Sequence, residues 1–252
     1  SEALDVVRRQ SGCRILYSVK AASCAGLLRV IARYVDGFSV SSLFEAQLAR
    51  EILGRRDGIH LVSPGLDERE AAALATHCSS ITCNSLGQWQ RLQPLVGKLS
   101  CGLRINPELS FVQDERYDPC RPASKLGVPL SQLHQPGCDR VHCLQGIRGI
   151  HLHNNCDSPD FAQLVQTTRK VVDYLGDILP ALEWINLGGG YLCGSPGQLQ
   201  VLARLAGELR RTHGLTVYFE PGRAIVHDAG YLAASVIDVF ASGTTSIAVL
   251  ED

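Results

Sequence analysis

The chain has 252 residues, 45% of them hydrophobic and 19% charged, and a net charge of −1. That is the composition of a folded water-soluble chain with a sizeable core, and no Lys/Arg block points to nucleic acid or an anionic membrane. No apolar run approaches the roughly 18 residues needed to cross a bilayer.

The ten cysteines contain no C-x-x-C pair, and Cys83, Cys101, Cys143 and Cys193 sit in apolar stretches. With no signal peptide at the N-terminus, reduced thiols in a cytoplasmic protein are expected rather than a disulfide scaffold. The stretch Cys138-Asp-Arg-Val-His142-Cys143 lacks a second spaced pair, so no zinc site is expected there.

In chain order, short apolar runs end in polar or glycine-rich residues, and a helical stretch follows each. The first run, 14–20 (RILYSVK), closes on Lys20, by default a solvated strand end. It is followed by 37–42 (GFSVSS), 60–64 (HLVSP), 81–85 (ITCNS) and 101–106 (CGLRIN). The remaining runs are 149–154 (GIHLHN), 184–190 (WINLGGG) and 216–222 (TVYFEPG). Amphipathic stretches lie between most of them, at 43–53, 68–76, 86–96, 160–175 and 198–213.

Strands alternating with helices demand a parallel sheet covered by helices. Eight such units predict an α/β fold, a closed (β/α)8 TIM-like barrel; an open doubly wound sheet lacks its G-x-G-x-x-G after the first strand. The longest gap, 107–148, is rich in proline; its first half reads as an ordered active-site loop, and 131–145 as helix-containing. Residues 231–240 and 246–250 then read as a hairpin joined by 241–245. The expectation is a barrel over 1–225 and the start of a β-domain over 226–252, largely missing from the chain.

In such a barrel the active site lies at the C-terminal strand ends. There the pattern places Lys20, Ser39 to Ser42, Arg104, Asn106, His151, His153, Gly188 to Gly190, Glu220, Gly222 and Arg223. Gly188-Gly189-Gly190 and Gly222-Arg223 are phosphate-binding candidates, offering backbone N–H groups and a cation on neighbouring strands. His151 and His153 share a strand face, which fits core packing, stacking on a flat cofactor or metal ligation equally. A phosphate site, a stacking ring, a carboxylate and a lysine together describe a pocket for pyridoxal 5'-phosphate, whose aldehyde a lysine amine captures.

The segments "ILYSVKA", "SVSSLFEAQLA", "YDPCRPASKLGVP", "GIHLHNNC", "NLGGGY" and "EPGRA" cover nearly the whole chain. In these the chain resembles the fold-type III, alanine racemase-like, pyridoxal phosphate decarboxylases. Within them it is most similar to the carboxynorspermidine/carboxyspermidine decarboxylases of polyamine biosynthesis. The Lys, GGG and EPGR signatures are shared by the wider group. S-S-L-x-E and Y-D-P-C-x-P-x-S-K-L-G mark the polyamine branch.

The resemblance implies that Lys20 is the Schiff-base lysine, that His153 stacks on the pyridine and that Glu220 meets the pyridine nitrogen. Gly188, Gly189 and Gly190 would form the phosphate turn, with Gly222 and Arg223 as the second phosphate contact. Asn154 to Cys156 stand where ornithine-decarboxylase-like relatives carry V-G-S. Ser39 replaces an aspartate of those relatives, which argues against simple basic diamino acids as substrate. Tyr117, Asp118 and Cys120 fall on the substrate side, their alternative being loop structure. No metal is implied. The implied substrate is a carboxylated polyamine and the implied assembly a homodimer, whose β-domain completes the partner's active site. Diaminopimelate or arginine decarboxylation, racemisation and a non-catalytic cofactor-binding role are the alternatives; Glu220, where racemases keep an arginine, favours a decarboxylase.

Overall fold

The computed structural model describes residues 2–97, 99–134, 143–231 and 233–251. Helix α1 (Glu2–Ser11) precedes β1 (Arg14–Ser18), α2 (Ala25–Ile31), β2 (Gly37–Val40), α3 (Leu43–Leu53) and β3 (Ile59–Val62). Next come α4 (Ala71–His77), β4 (Ser80–Cys83), α5 (Leu86–Leu92), β5 (Ser100–Asn106), the two-residue β6 (Val128–Pro129) and β7 (Gly149–Leu152). The series ends with α6 (Phe161–Tyr174), β8 (Trp184–Asn186), α7 (Pro196–His213), β9 (Thr216–Phe219), the single turn α8 (Arg223–Val226), and β10 (Val236–Ser242) with β11 (Thr245–Leu250).

Strands β1, β2, β3, β4, β5, β7, β8 and β9 pair in parallel in that order, and β9 returns to β1. This is the closed eight-stranded barrel expected from the alternation. Its strands are buried on both faces, hence the near-continuous apolar runs; Ile15, Leu16 and Tyr17 of β1 are fully buried. Trp184 fills one interior layer because Gly102 and Gly149 leave room: a Cβ there would lie 2.2 and 2.0 Å from the indole.

Local chemistry sets the helix starts. Ser42 Oγ accepts from the Glu45 N–H at 3.2 Å, while the Glu45 carboxylate accepts from the Ser41 N–H at 2.7 Å. Ser85 and Gln88 repeat the device at α5, with Ser85 Oγ accepting from the Gln88 N–H at 3.1 Å. Helix α7 carries Pro196 in its first turn and ends on Gly214 at φ 70°, a left-handed cap.

Several expected boundaries move. Lys20 lies not in β1 but in a 3₁₀ turn, Val19–Ala21, just beyond it. The stretch 68–76 divides into a 3₁₀ turn, Glu68–Glu70, and α4. The long connection contains β6, which adds to β5 through Ile105–Val128 and Asn106–Pro129, and a 3₁₀ turn, Leu130–His134. Of the expected helix-containing segment 131–145, residues 135–142 lie outside the described residues, as does Cys138–His142. The hairpin's first strand starts at Val236 rather than at 231, and its turn is tighter than expected. Gly243, at φ 61°, allows a two-residue connection.

Candidate active site

The C-terminal strand ends surround a cavity of about 420 Å³, with Lys20, His153 and Glu220 on its wall and Tyr117 and Asp118 at its loop side. Lys20 is exposed to it from the 3₁₀ turn. Residues after β9 support that turn: the Ser18 N–H donates to the Pro221 carbonyl at 3.2 Å. Gly222 lies so close that a Cβ would come within 3.0 Å of the Ala21 Cβ.

Glu220 follows β9 and is 5% exposed. Asn186 Nδ2 donates to its Oε1 at 2.7 Å, and His151 Nε2 lies 3.3 Å from its Oε2. Burial alone would raise the carboxyl's pKa. His151, the hydrogen bonds from His151 and Asn186, and His153 outweigh it and hold the group below the usual carboxylate range, hence ionised. His151 and His153 are both held below the ordinary imidazole value, first by burial and then by neighbours including Arg104 and Lys20. Both rings are therefore neutral at pH 7, where the hydrogen bonds from His151 and Asn186 are what hold the Glu220 carboxylate, the charges of the two rings acting only at lower pH. Neutral His151 bonds the carboxylate through Nε2–H, which leaves Nδ1 as a buried acceptor without a hydrogen-bond partner among the described residues.

The glycine turn begins two residues after β8 ends at Asn186. Gly188 and Gly190 have φ values of 68° and 86°, where only glycine is unstrained. At Gly189 a Cβ would meet the Glu220 carbonyl at 2.3 Å. The Gly188 N–H does not face outward as the phosphate reading requires: it donates to Asn186 Oδ1 at 2.9 Å. The Gly189 N–H approaches His153 Nδ1 at 3.4 Å, which joins the turn to the stacking-ring candidate.

Gly188 to Gly190, Gly222 and Arg223 border the cavity's neighbourhood without lining it. Arg223 is exposed and paired with Asp157 at 2.7 Å. Asp118 is buried and caps its own loop, accepting from the Cys120 N–H at 2.7 Å. Cys120 is off the wall, and burial pushes its thiol up to about 12, so it is no thiolate at neutral pH. Tyr117 is 60% exposed. Asn84, beyond β4, fastens the loop's exit, donating to the Lys125 carbonyl at 2.8 Å and accepting from the Gly127 N–H at 2.9 Å.

Sequence reasoning placed Arg104 and His151 on the rim and left His151 open between core packing, stacking and metal ligation, but it gave Arg104 no task and did not single out Asn186. Arg104 is 9% exposed on the wall, and its Nη2 donates to the His153 carbonyl at 3.3 Å. The signal for all three was period-two alternation: Arg104 pairs in register with His151, and His151 with Asn186, one layer around the barrel. Ligand atoms of His151, His153 and Glu220 also lie within 4.8 Å of one another, as a metal centre would need. The cations Lys20 and Arg104 beside them oppose a divalent ion.

The residues fit a pyridoxal group by their chemistry. An accessible amine, a neutral ring and a buried ionised carboxylate share one cavity, next to a turn that only glycine can form.

Comparison with known proteins agrees. Residues 3–227 match the family described as pyridoxal-dependent decarboxylase, pyridoxal binding domain. A carboxynorspermidine/carboxyspermidine decarboxylase of Herminiimonas arsenicoxydans is 30% identical over 96% of this chain and 64% of its own length. A carboxyaminopropylagmatine decarboxylase of Synechocystis is 36% identical over 85% of this chain and 54% of its own. Carboxynorspermidine decarboxylase from Campylobacter jejuni, solved with norspermidine, superposes with a TM-score of 0.78 at 29% identity, covering 99% of this chain and 63% of that one. Diaminopimelate decarboxylase from Helicobacter pylori, at 18% identity and a TM-score of 0.77, shares the fold. The chain thus spans under two thirds of the length of these curated relatives.

Proposed function

The chain belongs to the pyridoxal-dependent decarboxylases and carries their pyridoxal-binding domain, and from that premise we propose that it serves the decarboxylation of a carboxylated polyamine, carboxynorspermidine or carboxyspermidine. One observation carries the reading: Lys20, His153 and a buried, ionised Glu220 face one cavity that the loop 107–127 borders with Asp118. When bound, pyridoxal phosphate supplies an aldehyde that joins amines covalently and a ring that accepts the electron pair left by departing carbon dioxide.

The chain's residues divide the remaining work. Lys20 Nζ would capture the aldehyde with loss of water and, once the substrate's own amine has taken its place, the freed amine would carry a proton to the substrate's α-carbon. His153 presents its neutral ring for stacking. Glu220 keeps a proton on the pyridine nitrogen, since an adjacent negative charge favours the cationic ring. Gly189, Gly190, Gly222 and Arg223 receive the phosphate. Asp118, Tyr117 and the Cys120 segment face the substrate's amine-bearing chain, and Ser39, buried on the wall, leaves no carboxylate on β2 for a short diamino acid.

We read residues 1–225 as the cofactor-binding barrel and 226–252 as the start of a β-domain. For the complete protein we propose a cytoplasmic homodimer. Nine described cysteines are free, and the hairpin exposes Ile237, Val239 and Phe240 at 62%, 63% and 49%, apolar surface that an assembly would cover. Sedimentation of the complete protein checks the dimer; a monomer at micromolar concentration contradicts it.

Side-by-side carbon dioxide release decides the substrate. Carboxynorspermidine or carboxyspermidine should be consumed well ahead of ornithine, lysine and diaminopimelate. The Synechocystis relative makes carboxyaminopropylagmatine the competing substrate to include. A preference for diaminopimelate overturns the proposal.

A further inference from the structure

Around Glu220 the hydrogen bonds close on themselves. The Glu220 backbone N–H donates to the Gly188 carbonyl at 2.7 Å. The Gly188 N–H donates to Asn186 Oδ1 at 2.9 Å, and Asn186 Nδ2 donates to Glu220 Oε1 at 2.7 Å. All three links are short, and the side chains of Asn186 and Glu220 are 1% and 5% exposed, so water does not compete for them. His151 Nε2 lies 3.3 Å from the second carboxylate oxygen.

The amide of Asn186 is used at both ends. Its nitrogen holds the carboxylate, and its oxygen occupies the N–H that opens the glycine turn. A side chain with only one of these functions leaves the other group buried and unpaired, at a cost larger than the bond itself gains.

We infer that Asn186 is a positioning residue that couples the two ends of the cofactor site, fixing the Glu220 carboxylate and the Gly188–Gly190 turn as one unit with His151 as the carboxylate's second support. This rests on the reading of Glu220 as the pyridine-nitrogen partner and of the turn as the phosphate side. The coupling itself is a property of the protein without cofactor. It predicts that one substitution disturbs both ends, whereas removing the Glu220 charge disturbs one.

Asn186→Ala, Asn186→Asp and Glu220→Gln in the complete protein separate these roles. The first readout is the ¹³C carboxyl titration of Glu220 in the cofactor-free protein, assigned by its loss in Glu220→Gln. The others are the dissociation constant for pyridoxal phosphate and the ¹⁵N shift of its labelled pyridine nitrogen. Asn186→Ala should move the Glu220 titration upward by a pH unit or more and weaken pyridoxal phosphate about tenfold. Asn186→Asp keeps an acceptor for the Gly188 N–H, so affinity should return to within about threefold. Its carboxylate against Glu220 should still raise the titration, because adjacent like charges resist joint ionisation. Glu220→Gln should deprotonate the pyridine nitrogen with little loss of affinity.

Wild-type titration and affinity in Asn186→Ala overturn the coupling, and so does an Asn186→Asp protein with affinity as weak as Asn186→Ala. If Asn186→Ala does not fold, Asn186→Ser takes its place: it should move the titration and the affinity together, and wild-type values of both overturn the coupling. A pyridine nitrogen that stays protonated in Glu220→Gln refutes the reading of Glu220 instead, while the cofactor-free titration still judges the coupling.

Discussion

Lys20 is placed rather than buried: a 3₁₀ turn presents its amine, and Gly222 lets the neighbouring loop press against that turn. Lys20→Ala should lower turnover at least about a hundredfold, and borohydride should then fix no cofactor to the peptide carrying position 20. Peptide mass mapping checks this; attachment at another lysine contradicts it. His60 makes a different prediction. Its ring is buried 4.5 Å from that of Tyr218, and burial holds its pKa at about 4 rather than 6.5. The unfolded chain therefore takes up a proton there between pH 6.5 and 4 while the folded chain does not. Stability is fully present above pH 6.5 and declines as pH falls toward 4, by about 3 kcal/mol. Urea unfolding at pH 7.5, 5.5 and 4.5 measures the decline, and His60→Leu should flatten it. Most of the candidate cofactor side was legible because Lys20, His153 and Glu220 each close an apolar run. Asn186 was not, since its role depends on where Glu220, 34 positions away, places its carboxylate.

Among the elements, the glycine turn tolerates little. Gly189→Ala sets a Cβ against the Glu220 carbonyl, which is backbone and cannot rotate away. The substitution should cost about 1–3 kcal/mol in stability and weaken pyridoxal phosphate binding as well; thermal unfolding with and without cofactor checks both. A variant as stable as the parent would mean that β8 and β9 slide apart easily. The barrel strands were legible because parallel strands buried on both faces read as apolar runs. Their ends were not. Whether Lys20 extends β1 or leaves it for a 3₁₀ turn depends on the β9 loop beside it, and β6 exists only because β5 offers it an edge.

At the scale of the molecule, eight parallel strands close a barrel whose C-terminal rim gathers cations and neutral rings around one ionised carboxylate. Lys20 and Arg104, on that wall, have no carboxylate within ion-pair distance among the described residues. An anionic cofactor thus enters a rim with unspent positive charge, a site that only the folded chain assembles. By mass action, cofactor at a hundred times its dissociation constant adds about 2.7 kcal/mol of stability. The melting temperature should climb with added pyridoxal phosphate and scarcely respond to pyridoxal, which lacks the phosphate charge; equal responses would contradict this. In a cell short of pyridoxal phosphate, the same charges should make the protein's abundance, and not only its activity, follow the supply, because chains that fail to load unfold more often and are cleared sooner.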